Sequence, residues 1–265
     1  MADGESVPVP LAVKTSDLKV RSLSAIVMLV VAGGALWAGG WFWLVFCVAV
    51  ALGVLWEWRG LAARFSSAGL ARVLWILGGI GYVTGAVYML LFLRYEFEGA
   101  GRVLSLVGAV IATDIGAYFA GRTIGGPKIA PRISPSKTWA GLIGGMLGAS
   151  AAVAGIGMAW DASLCTMFYP IAEPPPGQYR FDGECSGIIS LHPREGLLLW
   201  AVVGGSLIAV IAQAGDFFES WMKRKAGVKD SGNLIPGHGG IFDRVDGLLA
   251  VCFVIGLLTA TGAFS

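Results

Sequence analysis

Long apolar runs separated by short polar stretches set the pattern of the chain. Seven runs fall at approximately residues 22–38, 41–58, 70–94, 103–121, 139–160, 196–215 and 245–264. Each approaches the roughly 20 apolar residues that an α-helix needs to cross a hydrocarbon core about 30 Å thick. Inside lipid the backbone has no water to bond, so each run predicts a helix, which satisfies its own N–H and C=O groups. The third run contains Gly78, Gly79, Gly81 and Gly85 and reads as one tilted helix or two short broken ones. The pattern predicts an all-α polytopic integral membrane protein with about seven transmembrane helices. Residues 1–21 form a polar N-terminal segment, and 22–265 a single transmembrane domain. A second apolar run follows the first almost at once and no small-x-small cleavage site intervenes, so the first is a retained span rather than a signal peptide.

Composition agrees with the pattern. Hydrophobic residues make up 56% of the 265 and charged residues 14%, against about 45–50% and about 25% in a soluble domain. The mean hydropathy is +0.74. The 40 glycines include the pairs Gly141/Gly145 and Gly144/Gly148, a spacing that lets helices pack closely in lipid. A net charge of +2, with no basic stripe interleaved with aromatics, argues against a nucleic-acid partner. Cys47 and Cys252 fall in apolar runs as small buried hydrophobes. Cys165 and Cys185 share one polar loop; they pair only if it faces an oxidising compartment, and spacing alone leaves that open.

Charge orients the spans. Lys14, Lys19 and Arg21 precede the first span, Arg59, Arg64 and Arg72 lie around the next polar stretch, and Arg122, Lys128, Arg132 and Lys137 follow the fourth span. The alternate connections are poor in cations: residues 95–102 carry Glu96 and Glu98, and 161–195 carry five acids against Arg180 and Arg194. By the positive-inside rule the N-terminus, the 122–138 loop and the 216–244 block are cytoplasmic, and 161–195 is an external or periplasmic loop.

Three stretches carry chemistry. Asp114 lies well inside the fourth run, where an ionisable group costs roughly 2.5–3.5 kcal/mol to insert and faces a polar interior or another helix. The loop 127–138, PKIAPRISPSKT, is held extended by its prolines and leads Ser134, Ser136, Lys137 and Thr138 to the start of a helix. Hydroxyls, a lysine and free N–H groups there suit an anion, although a capped, positive loop has the same composition. The block 215–247 holds five carboxylates and five cations. Asp216 and Glu219 are three apart, as are Asp243 and Asp246, so each pair shares one helix face. Paired carboxylates at one membrane surface suit a hard divalent cation that bridges to phosphates, and Lys223, Arg224 and Lys229 between them suit the phosphates themselves. His238, in the glycine-rich turn 234–240, either donates a hydrogen bond to a phosphate or carries a proton, or is a structural turn residue; spacing leaves these open. The block points to metal-assisted chemistry on a polyphosphate, with a lipid headgroup as second reactant.

The segment Ser220-x-x-Lys223-Arg224-x4-Lys229-Asp230-x-Gly232-x-x-Ile235-Pro236-Gly237-His238-Gly239-Gly240-x-x-Asp243-Arg244-x-Asp246 closely resembles the signature of the phosphatidate cytidylyltransferases, or CDP-diacylglycerol synthases. Asp114-x-Gly116-Ala117-Tyr118, Ser134-Pro135-x-Lys137-Thr138-Trp139 and Gly215-Asp216-x-x-Glu219-Ser220 resemble other segments of that family, and Trp56-Glu57-Trp58 is a weaker echo. The resemblance implies a nucleotidyltransferase of phospholipid biosynthesis that makes CDP-diacylglycerol and pyrophosphate from CTP and phosphatidic acid. It implies Mg2+, as one or two ions, and leaves a monovalent ion open. Asp216, Asp243 and Asp246 are the expected metal ligands, with Asp114 and Glu219 as further candidates. Ser134, Lys137, Thr138, Lys223, Arg224, Lys229 and Arg244 are expected to hold phosphates, with Lys223 also catalytic and His238 a binder or orienter. A homodimer in a bacterial inner membrane, its site facing the cytoplasm, completes the implied picture. The departures are the span count and the long 161–195 loop.

Two other classes fit less well. A CDP-alcohol phosphotransferase resembles Asp-Gly-x-x-Ala-Arg, whereas Asp246-Gly247 is followed by Leu248-Leu249-Ala250-Val251. A cation channel or transporter calls for charges deep in several spans, and Asp114 alone lies deep.

Overall fold

A computed structural model of the chain describes residues 12–66, 69–95, 100–159 and 193–261. Its elements are α1 (Ala12–Ala38), α2 (Gly40–Phe65), α3 (Leu70–Tyr95), α4 (Gly101–Thr123), β1 (Lys128–Ala130), β2 (Ser134–Thr138), α5 (Trp139–Ala159), α6 (Pro193–Lys225) and α7 (Phe242–Ala260). Six of the helices, α1 to α6, are long and apolar enough to cross a membrane. In α7, Asp243, Arg244 and Asp246 charge the first turns, and the apolar remainder follows. Leu29, Trp37, Trp41, Leu52 and Leu147 are exposed on the outside of the bundle, where acyl chains rather than water cover them. The protein is an all-α polytopic integral membrane protein.

Of the two readings left open for the glycine-rich third run, the structure shows one unbroken helix, α3. Two boundaries differ from the hydropathy pattern. Helix α1 begins at Ala12, inside the stretch expected to be a polar segment. Helix α6 continues past the apolar run to Lys225, so Lys223 joins Asp216 and Glu219 on successive turns of one helix. The 127–138 loop forms an antiparallel ribbon in which Lys128 faces Thr138 and Ala130 faces Ser134, as extended prolines allow. Glu96, Glu98, Cys165, Cys185 and the 161–192 part of the polar loop lie outside the described residues.

Small residues decide which helices approach. Helices α4 and α5 form the most extensive pair, and both glycine pairs on α5 lie in its seam. A β-carbon at Gly144 would stand 2.6 Å from the carbonyl oxygen of Gly116 on α4, so nothing larger than hydrogen fits between the backbones. On α6, a β-carbon at Gly215 would stand 2.7 Å from the carbonyl oxygen of Asp246 on α7. That contact brings Asp216 beside Asp246. An aromatic cluster locks the other side: the Trp58 ring on α2 lies 5.7 Å from those of Phe218 on α6 and Phe242 on α7. Its Nε1 donates to the Trp75 carbonyl of α3 at 2.9 Å.

Candidate active site

The helices that carry the carboxylates, α4, α6 and α7, meet around one cleft of about 570 Å3. Asp216 and Glu219 share a face of α6 because they are three residues apart, and the Gly215 contact sets Asp246 of α7 against them. One carboxylate oxygen from each of the three lies within 4.8 Å of the others. Glu219 is 1% exposed, and its Oε1 has no hydrogen-bond partner. A buried, unpartnered carboxylate oxygen is costly, and here it sits beside two further acids. All-oxygen donors converging in this way fit a hard divalent cation.

Lysines balance the acids. Lys223 Nζ bridges Glu219 Oε2 at 2.5 Å and Asp243 Oδ1 at 2.6 Å. Lys137, at the end of β2, pairs with Asp216 across the cleft. Asp114 and Tyr118 of α4 and Arg244 of α7 complete the wall. Thr138 lines it too, and its Oγ1 accepts the Gly141 N–H at 3.0 Å, capping α5.

Asp243 stands outside the carboxylate trio, and its oxygens are taken. Oδ2 accepts the Ser231 N–H at 2.9 Å, the Ser231 hydroxyl at 2.8 Å and the Gly240 N–H at 2.8 Å, while Oδ1 faces Lys223. Burial opposes its ionisation. Hydrogen bonding with Glu219 and Lys223 and from the Gly240 and Ser231 N–H groups outweighs burial and holds the pKa well below the usual carboxylate range. The neighbouring loop is a tight turn in which Ile235 and Gly239 bridge. Gly237 and Gly239 have φ of 75° and 83° there, values that favour glycine.

The remaining expected residues lie off the cleft wall. Ser134 is buried at the start of β2. Arg224 Nε donates to the Ile133 carbonyl at 3.4 Å, and Lys229 is exposed on the loop after α6. His238 turns toward α1, where its Nδ1 lies 2.7 Å from Ser24 Oγ, and its carbonyl accepts from Arg244 Nη2 at 2.7 Å. Sequence reasoning assigned no role to several residues that the fold brings in. Arg122 reaches the cleft with Tyr118, whose hydroxyl it contacts at 2.8 Å. Gln213 lines the cleft, 3% exposed, with neither amide atom partnered; a lone amide in an apolar run was its only signal. Glu57, from the faint Trp-Glu-Trp echo, is buried under the signature loop.

Residues 64–261 match the model of the Cytidylyltransferase family. The phosphatidate cytidylyltransferase of Brucella suis is 33% identical over 288 aligned residues, covering 92% of this chain and 94% of the relative. That of Rickettsia bellii is 32% identical over 237, covering 88% and 87%. That of Pseudomonas aeruginosa is 30% identical over 298, covering 92% and 98%. The family match takes in all of α4, the β-ribbon, α5, α6 and α7, and so every element that lines the cleft. The chain is therefore a membrane enzyme belonging to the cytidylyltransferase family.

Proposed function

We propose that the protein transfers the cytidylyl group of CTP to phosphatidic acid, giving CDP-diacylglycerol and pyrophosphate. The observation that carries the reading is the carboxylate trio Asp216, Glu219 and Asp246, flanked by Lys137 and Lys223, in a cleft at the ends of membrane helices. The relatives are phosphatidate cytidylyltransferases, which supports the choice of substrates.

In the reaction a phosphate oxygen of the lipid attacks the α-phosphorus of CTP. The bond from that phosphorus to the oxygen bridging the β-phosphorus breaks, and pyrophosphate leaves with the electron pair. The nucleophile is already an anion, so no strong general base is needed, in keeping with His238 facing Ser24. Asp216, Glu219 and Asp246 would hold Mg2+, with Asp114 on the same cleft wall. The bound ion would neutralise charge on the triphosphate and on the oxygens that enter and leave. Lys137 and Lys223 are pre-positioned by the carboxylates and neutralise the incoming phosphates, with Arg122 and Arg244 beside them. Asp243, whose oxygens are all engaged, anchors Lys223 and the loop rather than the ion. The site belongs on the cytoplasmic side of a bacterial inner membrane, where the positive-inside distribution puts its lysines and where CTP is dissolved.

The test is purified protein in mixed micelles with labelled CTP, phosphatidic acid and Mg2+. Pyrophosphate and lipid-linked CMP are expected in equal amounts, and a chelator abolishes both. Absence of lipid-linked CMP with folded protein refutes the reading.

A further inference from the structure

Helix α7 carries both Asp243 and Asp246, so the position of its first turn sets the geometry of the cleft. That first turn has no cap of its own, because the residue at the cap position is Ile241, with no side-chain hydrogen bond. The orphan N–H groups of a helix start need acceptors. They find them on another helix. Glu57 of α2 accepts the Ile241 N–H on Oε1 at 3.0 Å and the Phe242 N–H on Oε2 at 2.8 Å. Its Oε2 also lies 3.0 Å from the Ser231 hydroxyl, the same hydroxyl that reaches Asp243 Oδ2.

The loop is shaped around this side chain. A β-carbon at Gly232 would stand 2.8 Å from Glu57 Cδ, and one at Gly240 would stand 2.7 Å from Oε1. Neither glycine has a positive φ, so close approach rather than backbone strain demands glycine at these positions: Glu57 alone at Gly232, and Ser231 Oγ together with Glu57 at Gly240. One turn earlier on α2, Gly53 admits Ile241, whose Cδ1 would stand 2.5 Å from a β-carbon there. Glu57 is 3% exposed, and a carboxylate so buried is kept only where donors surround it. Its negative charge also complements the positive end of the α7 dipole. Glu57 precedes the residues matched by the family model, which begin at 64.

We propose that Glu57 is a positioning residue for the cleft: it caps α7 from α2 and, through Ser231 and the Gly232–Gly240 loop, fixes where Asp243 and Asp246 point. It touches neither substrate and acts through α7. The proposal rests on the cytidylyl-transfer reading for its kinetic arm only.

The experiment uses the full-length protein in micelles, with Glu57→Gln, Gly232→Ala and the double variant. Cys47→Ala, a buried change on the same helix away from the loop, is the stability control. Glu57→Gln keeps length but faces one backbone N–H with an NH2 group. Gly232→Ala leaves Glu57 intact and wedges it aside. Both are expected to lower kcat at least about tenfold, the scale of a small misplacement of reacting groups, with KM for CTP and phosphatidic acid within about twofold. Amide hydrogen exchange over residues 239–243 is expected to rise at least about tenfold in both, and the double variant to be no worse than the poorer single one. Cys47→Ala lowers the melting temperature without either effect. Wild-type kcat in folded Glu57→Gln, or unchanged exchange over 239–243 in both single variants, overturns the proposal. The exchange arm needs no turnover, so it still decides the role of Glu57 if the wild-type protein fails to make CDP-diacylglycerol.

Discussion

Asp243 and Asp246 stand three residues apart on the first turns of α7, and their surroundings divide them. Asp246 faces Asp216 and Glu219 across the cleft, in a trio where Glu219 keeps an oxygen with no partner. Asp243 faces the loop, where the Ser231 N–H and hydroxyl, the Gly240 N–H and Lys223 occupy its two oxygens. Beneath it, Glu57 is likewise surrounded by donors. The first group keeps one oxygen without a hydrogen-bond partner, at Glu219, whereas donors reach both oxygens of Asp243 and of Glu57. Residue type is the same in both; hydrogen-bond supply separates the group that faces the cleft from the one tied into the loop.

Removing charge on each side tests that division most severely. Asp246→Asn is expected to lower kcat/KM by about 10²–10³-fold, as for loss of one transition-state-stabilising contact, while the melting temperature in micelles is unchanged or raised. Repulsion within the trio is relieved by the substitution. A clear fall in melting temperature with turnover preserved would place Asp246 in the framework instead.

Asp243→Asn should show the reverse balance. It breaks a largely buried ion pair with Lys223, and loss of one partner of such a pair costs about 3–5 kcal/mol. Unfolding of the variant in denaturant should therefore shift markedly, with lost activity accompanying lost structure. Full stability with turnover abolished would return Asp243 to the metal-binding group.

Much of this was legible along the chain, and what was not has a physical reason. The spans follow from hydropathy, and a close-packing face on α5 from its glycines four residues apart, although the partner, α4, is seen only in the fold. The i,i+3 carboxylate pair Asp216/Glu219 needed only helical periodicity. The different fates of Asp243 and Asp246 were hidden, because spacing makes them equivalent and only the loop folded over one of them tells them apart. Glu57 was hidden more deeply: its acceptor role is defined by backbone groups 184 and 185 residues away, and no local pattern encodes so distant a cap. Thr138 looked like a phosphate ligand and is also the α5 cap; the same hydroxyl serves either role in sequence.

The pH response sharpens the comparison further. The folded pKa of Asp243 lies below its unfolded value of about 3.9. In that window the unfolded chain binds more protons, so stability rises with pH. The stabilisation from Asp243 is then full above about pH 4 and is lost as pH falls through the lower folded value. The difference in unfolding free energy between wild type and Asp243→Asn is expected to stay flat from pH 7 to about pH 5 and to shrink at the acidic end. A difference that already declines between pH 7 and 5 would contradict the saturated environment of this group.

The smallest effect is expected where the signature loop touches α1. His238 Nδ1 and Ser24 Oγ are 2.7 Å apart, while the histidine's carbonyl holds Arg244. Its ring thus ties the loop to the first helix, and its backbone ties it to α7. Ser24→Ala removes one partly buried hydrogen bond, worth about 0.5–1.5 kcal/mol, and leaves the carbonyl contact intact. Turnover is expected to stay within about twofold of wild type, and the pH–rate profile to be superimposable on it. A proton-carrying imidazole would respond differently: loss of its Ser24 contact would displace a limb of the profile. A displaced limb in Ser24→Ala would therefore move His238 from the framework side of the loop to the reacting side.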